Sequence, residues 1–210
     1  QVFVAMPFTE DFEKAYEIII KPAITSVIIN SNDSKKNLRP RIINAGTTGS
    51  PDIHEEIFDA ILHSRLVIAD MTVQSQYIAN GKKRWQPNAN VSYEVGLASA
   101  WRNPEDILLI HQPNDEHTYS FDIQNLRHLS YELSSTSVTL IRDEIISAIN
   151  RSRFLADQSY LKAIQSLSPS AMQFMHIESS RAFPVISFTN KGMPIMDSRI
   201  HAISELLSCR

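Results

Sequence analysis

Cysteine and glycine are scarce in this chain, and no sign of charge dominates it. A single cysteine, Cys209, among 210 residues excludes a disulfide framework and any multi-cysteine zinc site, and makes a reducing compartment the expected setting. Five glycines are too few for collagen-like or low-complexity chains. No apolar run approaches the roughly 20 residues of a membrane span. The opening, Gln1 followed directly by a strand-like run, has no basic n-region of a signal peptide. A cytoplasmic protein without a membrane partner is therefore expected. The net charge of −3 gives no global reason to expect nucleic acid as a partner. What is present is 43% hydrophobic and 20% charged residues, a globular composition. The length allows one α/β domain with an appendage, and a chain of this size should bury about 70% of the surface it exposes when unfolded.

Charge is unevenly placed. Residues 1–150 carry 13 Lys and Arg against 19 Asp and Glu, and residues 151–210 carry 7 against 4. That shift marks an expected boundary near residue 150. The mildly basic tail is equally well explained by a solvated helical face as by a nucleic-acid surface.

The chain opens with the apolar run Val2-Phe3-Val4-Ala5, a strand stopped at Met6-Pro7-Phe8, where Pro7 has no N–H to give a ladder. Phe12, Ala15, Tyr16, Ile19, Ala23 and Val27 recur at helical spacing, which predicts a helix over residues 11–28 kinked at Pro22. Residues 30–37 read as a polar surface loop, and residues 41–45 as a second strand ended by Gly46-Thr47-Thr48-Gly49. Ser50-Pro51 supply a cap and first-turn proline for a helix over residues 52–64. Leu66-Val67-Ile68-Ala69 is an uninterrupted apolar strand ending at Asp70. A polar segment through Pro87 leads to a helix over residues 90–101, then a buried-type strand over residues 106–110. A fifth strand over residues 126–133 precedes a helix over residues 138–149. This alternation predicts a five-stranded, mostly parallel, doubly wound α/β sheet of flavodoxin-like order 2-1-3-4-5. Beyond it, residues 160–167, 170–176 and 197–207 look helical and residues 183–188 strand-like. They predict a small helical subdomain over residues 151–210, in outline part of a winged helix. A segment of about 60 residues is near the lower limit for independent folding, so it is expected to pack on the first domain or on a second subunit, making a homo-oligomer.

In such a sheet, ligands bind beyond the carboxyl ends of the strands where strand order reverses, between strands one and three. Met6, Pro7, Phe8 and Asp70 stand at those ends. Asn90 and Glu94, in or near the first turn of the following helix, face the same crevice. Glu94 has Asn90, Val91, Leu97 and Ala98 as its helical neighbours and no Lys or Arg to pair with. The plain alternatives are that Glu94 complements the helix dipole, that Asp70 forms a turn and that Asn90 is an N-cap.

The turn Val4-Ala5-Met6-Pro7-Phe8, the strand end Ala69-Asp70-Met71-Thr72 and above all Asn90-Val91-Ser92-Tyr93-Glu94-Val95-Gly96-Leu97-Ala98 resemble the nucleoside 2-deoxyribosyltransferase-like group. They also resemble the related bacterial Toll/interleukin-1 receptor (TIR)-like nucleotide-binding domains. Phe121-Asp122-Ile123 through Arg127 and Tyr131 is similar to their final strand region, so the likeness spans about residues 2–150. The resemblance implies cleavage of an N-glycosidic bond in a nucleoside, nucleotide or NAD-like substrate, by an N-glycosidase or (deoxy)ribosyltransferase. NAD would be a substrate, and neither cofactor nor metal is implied. Glu94 would be nucleophile or electrostatic stabiliser of the oxocarbenium-like sugar. Asp70 would hold the base or a ribose hydroxyl, Met6, Pro7 and Phe8 would line the pocket, and Asn90 and Tyr93 would orient Glu94 or the substrate. A non-catalytic nucleotide-sensing module in bacterial signalling or defence is the competing reading. Two departures stand out. Residues 73–87, with Lys82-Lys83-Arg84-Trp85, intervene before the helix, as a lid or a solvated loop. The first turn also carries no carboxylate, which favours hydrolysis or binding over deoxyribosyl transfer.

Other motifs are incomplete. Gly46-Thr47-Thr48-Gly49-Ser50 lacks the Lys of a P-loop. His54-Glu55-Glu56-Ile57-Phe58 is one histidine short of the zinc-protease spacing, and no Gly-x-Ser-x-Gly elbow exists. His111 and His128 read as satisfied polar residues, and Cys209 has no partner motif.

Overall fold

The computed structural model describes residues 1–31, 34–43, 53–113 and 125–166. The expected turn at residues 46–49, the segment at residues 121–123, and the helices and strand expected beyond residue 166 lie outside the described residues. The first strand is β1, Val2–Ala5. The helix expected over residues 11–28 is three pieces: α1 Glu10–Ala15, a π-helical turn Tyr16–Ile20, and α2 Lys21–Thr25. Pro22 has no N–H for the regular ladder, and the chain accommodates it with a wider turn in which the Lys21 N–H reaches the Tyr16 carbonyl.

The loop expected over residues 30–37 is instead an antiparallel hairpin, β2 Ile28–Ser31 with β3 Ser34–Asn37. Its polar, exposed Lys35, Lys36 and Asn37 hide the strand from any alternation signal. Tertiary bonds hold it, with Leu38 N–H donating to the Val27 carbonyl at 2.9 Å and the Asn37 amide to the Thr25 carbonyl at 2.7 Å. The expected second strand shrinks to β4, Pro40–Arg41, paired with β1 at Val2 and Phe3. Ile42 and Ile43 lie past that ladder, and Asn44 and Ala45 outside the described residues.

Helix α3, Ile53–His63, leads into β5, Leu66–Asp70. The segment at residues 73–87 is a second antiparallel hairpin, β6 Val73–Ala79 with β7 Lys82–Pro87. Its turn is Asn80-Gly81, both at positive φ (53° and 71°), the type I′ geometry whose twist matches a hairpin. Then come α4 Ala89–Trp101, a 3₁₀ turn Pro104–Asp106, β8 Ile107–His111, β9 Arg127–Ser130 and the long α5 Ser135–Ser166. Helix α5 takes in the helix expected over residues 138–149 and continues to Ser166, through most of the one expected over residues 160–167. The chain divides into two units, Gln1–Ser152 and Arg153–Arg210, so the division falls inside a helix and not in a linker.

The central sheet has the order β4-β1-β5-β8-β9, and every pairing in it is parallel. Counted along the chain among these five strands alone, the order is 2-1-3-4-5. Alternate residues feed two separate cores, as the two-residue period of a strand dictates. Val2, Val4, Leu66, Ile68, Leu108 and Ile110 pack under α1, α2 and α5, whose Ile24, Ile141 and Ile145 are fully buried. Phe3, Ala5, Val67, Ala69, Ile107 and Leu109 pack under Ile57 and Ile61 of α3 and Val91, Val95 and Ala98 of α4. The ends of α3 and α4 are tied by Arg102, which donates to the Leu62 carbonyl at 2.9 Å and pairs with Asp106 at 3.1 Å. That clamp satisfies orphan carbonyls of α3. Among the described residues, no helix is long and apolar enough to cross a membrane.

Candidate functional site

The carboxyl ends of β1 and β5, with the starts of α3 and α4, enclose a cavity of about 210 Å³. Met6, Pro7 and Phe8 form one side of it, Ile53, His54 and Ile57 of α3 another, and Asn90, Tyr93 and Glu94 of α4 a third; Ile43 and Asn88 complete the lining. Six of the seven residues singled out from the sequence therefore meet there. Asp70 does not.

Glu94 owes its setting to helical periodicity. It follows Val91 by three positions and precedes Ala98 by four, so it lies close to the stripe that α4 buries on the sheet. Being the sixth residue of α4, it stands beyond the first turn, which holds no acidic residue, and outside the range where a helix dipole rewards a carboxylate. No hydrogen bond or ion pair reaches its carboxylate from the described residues. Burial alone pushes its ionisation up from 4.5 to about 7. Neither Asn90 nor Tyr93 hydrogen-bonds Glu94, so the orienting role expected of them toward this carboxylate is absent; both line the cavity.

The N-cap of α4 is Asn88, not Asn90. Its Oδ1 accepts from the N–H groups of Asn90 at 2.9 Å and Val91 at 3.3 Å. Its amide donates to Gln74 Oε1 at 2.9 Å, pinning the root of the β6–β7 hairpin to the start of the site helix. Residues 73–87 thus border the cavity through one bond at their base.

Asp70 is 1% exposed and fully engaged. Its Oδ2 accepts from the Tyr131 hydroxyl at 2.6 Å, and its Oδ1 from the Thr72 N–H at 3.0 Å and the Thr72 hydroxyl at 2.5 Å. Thr72 Oγ1 in turn accepts from the Gln112 N–H at 2.8 Å. Burial raises the ionisation of Asp70, and the bonds from Thr72 and Tyr131 oppose that rise. Burial and the Asp70 charge hold the Tyr131 phenol above its usual range. Asp70 lies off the cavity lining, and its bonds from Thr72 and Tyr131 tie it in as a strut beneath the rim.

A second, more polar cavity of about 410 Å³ opens on the other side of the rim, between Thr9 and Lys14, Thr72 and Gln74, and Gln112 and Leu133. It is larger than the first but holds no unpartnered buried acid or base. His54 is the site residue that sequence reasoning missed. Its ring and that of Tyr93 meet in a T-shaped arrangement, with centroids 6.0 Å apart and planes at 79°. Its place on the first helical turn after strand two was legible, since that turn opens onto the same rim as the first turn of α4. Among the described residues, no group of three or more His, Cys, Asp or Glu side chains gathers to hold a metal ion.

No family model matches the chain, and no curated protein matches it. Among solved structures, the metal-soaked Flv1 flavodiiron core from Synechocystis sp. PCC6803 is similar over 72% of this chain and 36% of its own, at 12% sequence identity and a TM-score of 0.41. The chain therefore spans well under half of that structure's length.

Proposed function

We propose that the cavity beside Glu94 cleaves the N-glycosidic bond of a nucleoside, nucleotide or NAD-like substrate, in a cytoplasmic setting, as a hydrolase or (deoxy)ribosyltransferase. One observation carries this reading: a partly buried carboxylate with no partner among the described residues, set in an apolar wall. Such a group is destabilised by its surroundings until a cation arrives. Breaking an N-glycosidic bond makes that cation, because the sugar gains oxocarbenium character as the base departs. Glu94 would thus interact more strongly with the transition state than with the neutral sugar, which is the condition for catalysis. Met6, Pro7, Phe8 and Tyr93 supply flat and apolar surface for a base or ribose. At about 210 Å³ the cavity is smaller than the ~300–1,000 Å³ of sites that engulf whole ligands, which favours holding the glycosidic end of the substrate and leaving the rest outside.

The test is chromatography of protein incubated with inosine, other nucleosides and nucleotides, and NAD, looking for released base. Release that disappears in Glu94→Gln supports the reading. Tight binding of a nucleotide with no base released from any substrate overturns it in favour of a sensing module.

A further inference from the structure

We propose that His54 is the acid that protonates the departing base, an assignment that rests on the glycosidic reading above. A purine or pyrimidine leaves a neutral nucleoside as an anion unless a proton reaches it, so Glu94 facing the sugar supplies half of the required chemistry. Among the described residues, three that line the cavity carry ionisable side chains: Glu94, Tyr93 and His54. Glu94 cannot act as the anion facing the sugar and give up a proton in the same step. A phenol releases its proton far less readily than an imidazolium, which as a class exchanges protons near neutrality. His54 projects from α3, a different element from the α4 that carries Glu94, so a glycoside can lie between base donor and sugar stabiliser. The edge-to-face contact with Tyr93 at 6.0 Å limits where the ring can point. The side chain is exposed, so water can reload it between turnovers.

The step balances as follows. The C1′–N bond breaks and its electron pair passes to the base nitrogen. The imidazolium N–H proton of His54 moves to the base, which departs neutral, while the Glu94 carboxylate faces the cationic sugar. Water then adds to C1′ and gives its proton to the neutral imidazole, which restores the imidazolium and releases the free sugar. One water is consumed, and no oxidant or cofactor takes part.

The experiment compares two substrates with opposite demands. Inosine needs its base protonated, whereas nicotinamide riboside releases a pyridine that is already neutral once the bond breaks. His54→Gln should lower kcat on inosine by about 100-fold or more, and by at least about tenfold more than it lowers kcat on nicotinamide riboside. His54→Phe keeps an aromatic edge against Tyr93 but has no proton, and should behave like His54→Gln. Equal losses on both substrates, or rescue of inosine cleavage by His54→Phe, would reduce His54 to a packing role and overturn the assignment. A wild-type protein that cleaves nicotinamide riboside but not inosine overturns it as well, with the glycosidic reading left standing. A wild-type protein as silent as Glu94→Gln on both substrates sinks the glycosidic reading and this assignment together.

Discussion

Glu94 is held above the ordinary carboxylate range by burial alone, and the sign of its effect on stability follows. In the unfolded chain it ionises near 4.5, and in the folded chain at about 7. Between those values the folded state binds the extra proton, so stability is full below about 4.5 and declines as pH rises toward 7. Discounted for the part of the carboxyl that reaches water, the loss is on the order of 2 kcal/mol. Glu94→Gln removes that loss. We expect the variant to melt at a higher temperature than wild type at pH 8 and at nearly the same temperature at pH 4.5, while base release is abolished at both. A lower melting temperature at pH 8 would show Glu94 to be a structural residue after all. With nicotinamide riboside, which needs no proton, the wild-type rate should climb with pH and level off above about 7. How far the site could be seen in the sequence varied with residue type. Glu94 was visible because it interrupts a helical apolar stripe with no cation nearby, and Met6, Pro7 and Phe8 because a strand stops there. Asp70 was ambiguous because a carboxylate at a strand end looks the same whether it faces a ligand or, as here, a tyrosine 61 positions away.

At the scale of elements, the bond from Tyr131 to Asp70 does more than satisfy a buried charge. With Thr72 and Gln112 it joins the carboxyl ends of β5, β8 and β9, the floor on which the rim stands. Tyr131→Phe leaves Asp70 Oδ2 buried without its donor. A loss of about 2 kcal/mol in denaturant unfolding is expected, with the cavity residues in place; a change under about 0.5 kcal/mol would mean that water replaces the hydroxyl at no cost. The β6–β7 hairpin is a weaker element, a two-stranded ribbon with Tyr77 and Ile78 in solvent. Gly81 at φ 71° has open space around its Cβ position, so Gly81→Ala costs only the strain of the left-handed backbone, about 1 kcal/mol. Amide exchange across residues 73–87 should accelerate in this variant while the global melting temperature stays put. A fall in the global temperature would show the hairpin to be part of the cooperative core. The reading of residues 73–87 as a lid or a solvated loop passes over Asn80-Gly81, the strongest short hairpin signal, between runs that include Tyr77, Ile78 and Trp85. The β2–β3 hairpin carries no such signal, because tertiary bonds and not side-chain alternation hold it. The break in the first helix was legible at Pro22, but its π-helical form was not, since that depends on which carbonyl the Lys21 N–H can reach.

On the scale of the whole molecule, the five parallel strands, α1 to α4 and the start of α5 lie within Gln1–Ser152, and among the described residues the last buried one of α5 is Ile149. A chain ending at Ser152 should therefore unfold in a single cooperative transition followed by circular dichroism, with any base release intact. A non-cooperative melt would show that the core needs residues beyond it. The unbroken apolar runs at residues 66–69 and 107–110 made the parallel sheet evident before any coordinates, because strands covered on both faces have no polar side. The length of α5 was only partly visible, as two helical stretches over residues 138–149 and 160–167 with no signal joining them. The same parallel order has a consequence in time. No two neighbours in the central sheet are joined by a tight turn; β1 meets β5 across more than sixty residues, whereas β2–β3 and β6–β7 close locally. During synthesis the two ribbons can form within microseconds of emerging. Val4, Ile68 and their neighbours must instead wait for α5, which leaves the ribosome roughly 4 to 16 s after Asp70. For that interval one face of the nascent sheet has only α1 and α2 over it. The chain spends its most aggregation-prone moments with its peripheral hairpins finished and its centre half roofed.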